Sequence, residues 1–257
     1  MILRGSFRSE TLRMNTNIQV FVPDRCTPAR VVYLLHGLHG DQGQWIDNTM
    51  LPVYAKKYNA IFIMPEAKRS FYANQKYGRR YYDYISNELP EICRRIFNIN
   101  AAREDTAIVG CSMGGYGALW FALSLPEQYG FCGAIAPACL NIKEFMDEMG
   151  KNPPDLEKTE GETREILADL HAIYGEKPEY RADYDITELA KNFPPDKPKP
   201  EIYITCGTRD EFRKDILAFK NEMENTEFKF TYEEWQGGHE WFFFNEALKK
   251  TLEYWYN

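Results

Sequence analysis

Two apolar rhythms take turns along this chain. Residues 31–35 (Val-Val-Tyr-Leu-Leu) and 60–64 (Ala-Ile-Phe-Ile-Met) are continuous apolar runs, and residues 106–109 and 131–136 read similarly. Short runs of this kind fit strands buried on both faces. Between them the spacing becomes helical. Over residues 81–98, Ile85, Leu89, Ile92 and Ile96 fall on one face; over 212–225, Phe212, Ile216, Phe219 and Met223 do so; residues 245–256 carry Leu248, Leu252 and Trp255. A short helix is expected over 49–57 and an apolar, buried one over 118–125. Pro90 falls inside the 81–98 helix and predicts a kink or a late start. Strands are also expected over 201–206 and 228–235, and two N-terminal ones over 7–12 and 17–22 form an antiparallel edge. A turn over 24–29 follows them. Strands alternating with helices predict an α/β fold: a mainly parallel sheet covered on both faces.

Residues 141–198 break this rhythm. Helical pieces over 143–149, 163–174 and 186–192 have weak apolar faces, and Pro153-Pro154 and Pro194-Pro195 interrupt them. The expected arrangement is one domain over 1–257 with this segment as a small helical insertion, a cap packed over the catalytic face. Charge sharpens the distinction. The chain has a net charge of −7; residues 141–198 hold 15 acidic and 8 basic side chains, so the remaining chain is neutral. No basic stripe marks a nucleic-acid partner. No apolar run is long enough to span a bilayer, and no apolar leader opens the chain, so a cytoplasmic protein without a membrane partner is expected. The six cysteines form no C-x-x-C pair, and they are expected to be reduced and mostly buried, with no metal and no cofactor.

The chemistry gathers in four loops that follow strands. Gly110-Cys111-Ser112-Met113-Gly114 lies between a strand and a helix, the G-x-S-x-G elbow that exposes a nucleophilic serine. Glycine is required there because neighbouring backbones pass too close for a Cβ. The first N–H groups of the following helix, Met113 among them, would face whatever Ser112 attacks. His36-Gly37-Leu38-His39-Gly40 follows the strand over 31–35, and the Leu38 N–H is the candidate second oxyanion donor. Gly207-Thr208-Arg209-Asp210 follows the strand over 201–206, and Gly237-Gly238-His239 follows the strand over 228–235. The order serine, acid, histidine is that of the α/β-hydrolases. Ser112 needs a base, and His239 is the best placed of four histidines. His36 is expected to brace its own loop, His39 to edge the pocket and His171 to lie on the surface. Asp210 is preferred as the orienting acid over Glu211, which demands another loop phase, and Asp215, which belongs on the next helix. Trp45, His39 and Tyr72, on loops leaving the same strand ends, are the candidate substrate contacts.

Tyr33-Leu34-Leu35-His36-Gly37-Leu38-His39-Gly40-Asp41, Glu88-Leu89-Pro90, the elbow from Gly110 to Gly117, Cys206-Gly207-Thr208-Arg209-Asp210 and Gly238-His239-Glu240-Trp241 resemble the Putative esterase family over nearly the whole chain. That family includes esterase D / S-formylglutathione hydrolase, tributyrin esterases and cinnamoyl (feruloyl) esterases. The resemblance implies a metal-free carboxylesterase on an α/β-hydrolase fold, with Ser112, Asp210 and His239 as triad and Leu38 and Met113 as oxyanion donors. A short acyl or aryl ester, acetyl, butyryl or feruloyl, is the expected substrate, an acylated carbohydrate among the candidates. The alternatives are a thioesterase of the S-formylglutathione hydrolase type or an acyltransferase with the same triad, and a binding module that has lost catalysis. A homo-oligomer is compatible with the sequence.

Overall fold

The computed structural model describes residues 1–24, 30–151, 158–176 and 180–257. Eight strands form one sheet: β1 Ile2–Ser9, β2 Met14–Phe21, β3 Arg30–Leu35, β4 Ala60–Pro65, β5 Thr106–Cys111, β6 Phe131–Ile135, β7 Glu201–Gly207 and β8 Phe230–Trp235. Their spatial order is β1-β2-β4-β3-β5-β6-β7-β8. β1 and β2 pair antiparallel, β2 joins β4 antiparallel, and every pair from β4 to β8 is parallel. The strand order reverses between β3 and β5. An open α/β sheet binds its ligand beyond the strand ends at such a switch point. Leu35 at the end of β3 stands opposite Gly110 of β5, which brings the His36 loop and the serine elbow side by side.

The described helices are α1 Gln44–Asn48, α2 Leu51–Tyr58, α3 Tyr81–Asp83, α4 Leu89–Phe97, α5 Met113–Ser124, α6 Ile142–Lys151, α7 Gly161–Tyr174, α8 Ile186–Lys191, α9 Arg213–Met223 and α10 Trp241–Tyr256. Alternate strand residues feed two cores. Tyr33, Leu35 and Ile108 pack with α4, α5 and α9; Val32, Leu34 and Val109 pack with α1, α2 and α10. The period-2 geometry of strands produces this division.

Several boundaries differ from expectation for identifiable reasons. β1 starts at Ile2 and ends at Ser9, because residues 10–13 turn into β2. The Glu88 carboxylate fixes that turn by accepting hydrogen bonds from Ser9 Oγ at 2.6 Å, Glu10 N at 2.8 Å and Thr11 N at 3.1 Å. The helix after the elbow starts at Met113, not at residue 118. Gly114, Gly115 and Gly117 are helical despite their weak propensity, since tight packing leaves no room for a side chain. Pro90 sits in the first turn of α4, where a missing N–H costs little, and a π-turn over Tyr84–Glu88 precedes it. The last helix begins at Trp241, four residues earlier than expected.

Between β6 and β7 lie α6, α7 and α8. Ile173, Ile186 and Ala190 from this segment join the main core, and Tyr116 Oη donates to the Tyr184 carbonyl at 2.8 Å. Asp185 starts α8, its Oδ1 accepting from the N–H groups of Thr187 and Glu188. Most of the turn expected over 24–29, with Cys26, and the Pro153-Pro154 break lie outside the described residues. Cys93, Cys111, Cys132, Cys139 and Cys206 are free thiols. Among the described residues no helix is long and apolar enough to cross a membrane.

Candidate active site

Ser112 sits between β5 and α5 at φ 56° and ψ −122°. A non-glycine residue at positive φ stores on the order of 1–3 kcal/mol of strain, so the surroundings must hold it. They do so through the backbone. Ser112 N–H donates to Ile135 O at 3.0 Å, and Ser112 O accepts from the N–H groups of Gly115, Tyr116 and Ala138. The flanking glycines are obligatory. A Cβ on Gly110 would lie 2.3 Å from Gly114 O, and one on Gly114 would lie 2.5 Å from Leu35 O. The Met113 N–H is the first of α5, one of the donors at a helix start that has no carbonyl within its own helix. The neighbouring thiol does not compete as a nucleophile: burial pushes Cys111 up to about 12.

The loop after β3 lies against this elbow. A Cβ on Gly37 would be 3.5 Å from Ser112 Cβ. Leu38 is in the turn that Gly40 N–H closes on Gly37 O at 3.1 Å. His36 is buried within that loop and braces it, with Nδ1 2.7 Å from Gly37 O.

Asp210 and His239 come together from the loops after β7 and β8. His239 Nδ1 is 2.9 Å from Asp210 Oδ2; the aspartate side chain is 0% exposed and the histidine 21%. A carboxylate only accepts, so Nδ1 carries the hydrogen and Nε2 is free to take a proton. The other aspartate oxygen, Oδ1, accepts from Phe212 N–H at 2.9 Å. The two loops interlock: Arg209 N–H donates to Gly237 O at 2.9 Å, and a Cβ on Gly207 would meet Gly237 O at 2.5 Å. Glu211 is exposed and Asp215 lies on α9; of the three acids weighed in the sequence, Asp210 is the one bonded to His239. Phe212 and Phe244 stand edge-on to the imidazole, with centroids 5.1 and 5.0 Å away. Sequence reasoning read Phe212 as part of a helix's apolar face and did not single out Phe244. Their closeness to Asp210 and His239 in the chain was the available signal.

The three candidate substrate contacts separate. Trp45 and Tyr72 are 1% and 0% exposed, so neither ring offers surface to a ligand, and that expectation is corrected. Their polar atoms are engaged instead: Trp45 Nε1–H donates to Leu35 O at 2.9 Å and Tyr72 Oη–H to His36 O at 2.8 Å. His39 is 61% exposed, with Nε2 3.0 Å from Glu162 Oε1 on α7. It borders a cleft of about 610 Å³ next to Leu38 and Gly40, lined also by Lys68, Arg69 and Gln75. His171, expected on the surface, is half-buried with its ring edge-on to Tyr77. Near this cleft Glu66 is buried. Burial raises its carboxyl, but the adjoining His36 ring, the Lys68 N–H and the Lys68 ammonium outweigh that and hold it at about 2. Among the described residues no three His, Cys, Asp or Glu side chains are placed to hold a metal ion.

A mainly parallel sheet with a strained serine at a strand–helix elbow, and a histidine–aspartate pair on two later strand ends, defines an α/β-hydrolase fold of the serine-hydrolase class. The chain belongs to the Putative esterase family, whose model matches residues 9–254. It is an esterase, acting on carboxylic ester bonds. An acetyl esterase of Caldicellulosiruptor saccharolyticus is 29% identical over 98% of this chain and 97% of its own length. Two solved structures from Staphylococcus aureus are each 26% identical. The fluorophosphonate-binding serine hydrolase FphF superposes with a TM-score of 0.87 over 100% of this chain and 98% of its own. The S-formylglutathione hydrolase FrmB does so with 0.84 over 100% and 99%.

Proposed function

We propose that the chain hydrolyses short-chain acyl esters, acetyl esters above all, through an acyl-enzyme on Ser112. The observation that carries the assignment is the His239–Asp210 hydrogen bond of 2.9 Å. It fixes the imidazole with its lone pair on Nε2, the form a general base needs. In this reading Nε2 takes the Ser112 proton as Oγ attacks the acyl carbon. The oxyanion lies between the N–H groups of Leu38 and Met113, each worth on the order of 10²–10³ in rate. His239 returns the proton to the leaving alcohol, and water, activated the same way, releases the acid. The resemblance to an acetyl esterase supports a small acyl group. Burial of Trp45 and Tyr72 removes two of the aromatic surfaces that favoured a feruloyl group. The hydrogen-bonding side chains of Asp41, Lys68, Arg69 and Gln75 around the cleft beside His39 suit a hydroxyl-rich leaving group such as an acylated carbohydrate. The segment between β6 and β7 then serves as a cap, with α7 bordering that cleft through Asp169.

A series of p-nitrophenyl esters with lengthening acyl chains, together with methyl ferulate, tests this. The acetate is expected to have the highest kcat/KM, and turnover is expected to vanish in Ser112→Ala. A Ser112→Ala enzyme as active as wild type contradicts the mechanism; a preference for ferulate contradicts the acyl choice. The likeness to FrmB favours a second reading, thioester hydrolysis. S-formylglutathione turning over far faster than p-nitrophenyl acetate would select it.

A further inference from the structure

Three consecutive carbonyls leave the end of β3, and each accepts from a buried side chain. Leu35 O accepts from Trp45 Nε1–H, His36 O from Tyr72 Oη–H, and Gly37 O from His36 Nδ1–H, at 2.9, 2.8 and 2.7 Å. The third belongs to the Gly37–Leu38 peptide, the unit whose N–H points at the oxyanion in the mechanism above. In a trans peptide the C=O and N–H point in opposite directions. Holding Gly37 O from behind therefore aims the Leu38 N–H forward. Gly40 N–H adds a second bond to Gly37 O at 3.1 Å, and Gln44 Oε1 occupies the Gly37 N–H at 3.3 Å.

We propose that His36, supported by Tyr72, is a positioning residue for the oxyanion: its Nδ1–H clamps the Gly37–Leu38 peptide so that the Leu38 N–H is aimed before substrate arrives. His36 is suited to this because its ring is fixed at both ends. Nε2 accepts from Ala67 N–H at 2.9 Å and lies 3.5 Å from Glu66 Oε1. Whether Nε2 accepts from Ala67 or, once protonated, faces the Glu66 carboxylate, Nδ1 keeps its hydrogen for Gly37 O. The clamp also accounts for Trp45 of α1 and Tyr72 of the loop after β4: two large aromatics near the site that serve the backbone and not the ligand. The inference rests on the Ser112 mechanism, since it matters only if Leu38 N–H binds an oxyanion. A preformed donor acts on the transition state more than on bound substrate, so its loss falls on kcat and leaves KM nearly unchanged.

The test compares His36→Asn, whose amide N–H can occupy the place of Nδ1, with His36→Gln, whose amide reaches the place of Nε2. The substrate is p-nitrophenyl acetate, and active sites are counted with a fluorophosphonate. His36→Gln is expected to lower kcat about 100-fold, the order of one lost oxyanion donor, with KM within about threefold. His36→Asn is expected to recover about tenfold of that loss at equal melting temperature. Tyr72→Phe, which deletes one oxygen, is expected to lower kcat about three- to tenfold with KM unchanged, a fraction of the same donor's worth. Equal kcat for the Asn and Gln enzymes overturns the clamp, as does full kcat per active site in Tyr72→Phe, which decides the matter if the His36 variants do not fold. Ser112→Ala separates the two levels. If it keeps turnover, the mechanism itself fails; if it is inactive while the clamp variants behave as wild type, only the clamp fails.

Discussion

The elbow with its β3 loop and the segment between β6 and β7 are built by opposite means. At the elbow the backbone does the holding: Ser112 is fixed by four main-chain hydrogen bonds and by glycines that leave no room for a Cβ. The charge beside the His36 ring of the β3 loop, Glu66, is buried and partnered by Lys68. The β6–β7 segment is anchored at its base by Ile173, Ile186 and Ala190, while its cleft-facing side is tied by side chains, Arg69 to Asp169 at 2.8 Å and His39 to Glu162 at 3.0 Å. Backbone geometry is stiff and tolerates no substitution; an exposed ion pair such as His39–Glu162 contributes little energy and is easily exchanged. In the function proposed above, the first region carries the chemistry and the second borders the cleft that selects the substrate.

The comparison is broken most severely at the acid. Asp210→Asn keeps the shape but puts the wrong hydrogen toward His239 Nδ1. kcat is expected to fall about 10⁴-fold with the fold intact by circular dichroism; a loss under tenfold would mean another group orients the base. Next comes Gly110→Ala. Its Cβ would meet the Gly114 carbonyl at 2.3 Å, backbone that cannot move aside, so destabilisation of about 3 kcal/mol is expected in urea melts. Wild-type stability would place the rigidity elsewhere.

Acid titration sharpens the contrast further. The Glu66 carboxyl is held at about 2 against an ordinary 4.5. A folded-state value below the unfolded one means that its contribution is complete above pH 4.5 and is lost as pH falls from there toward 2. The melting temperature of wild type is expected to drop more steeply through that window than that of Glu66→Gln. Parallel curves would show that the buried carboxylate is not held in its charged form. The smallest effect belongs to the other region. Breaking the exposed His39–Glu162 pair with Glu162→Gln is expected to change stability by less than about 0.5 kcal/mol. Any effect on turnover should appear in KM for polar esters.

The alternation of strands and helices, the four loops and the choice of Asp210 as partner of His239 were legible in the sequence because they rest on apolar runs, glycines with no tolerated alternative, and a fixed chain order. Trp45 and Tyr72 were misread for a physical reason. A large aromatic near an active site can face the ligand or nearby carbonyls, and only tertiary packing decides which. The helix after the elbow was expected only from residue 118 because glycine is a poor helix former in isolation; close packing of Gly114 on the carbonyls of Leu35 and His36, of Gly115 on Pro137 and of Gly117 on Tyr72 overrides that preference. Glu88, noticed in the motif Glu88-Leu89-Pro90, showed no partner in sequence, since the Ser9–Thr11 turn it closes lies almost eighty residues away.

The central claim, a covalent acyl-enzyme on Ser112, is tested most directly by labelling with a fluorophosphonate and mapping the adduct by mass spectrometry alongside p-nitrophenyl acetate turnover. One adduct per chain is expected, on the peptide containing Ser112, with turnover lost in proportion to labelling and no adduct in Ser112→Ala. An adduct on another residue, or undiminished turnover in the fully labelled enzyme, would contradict it.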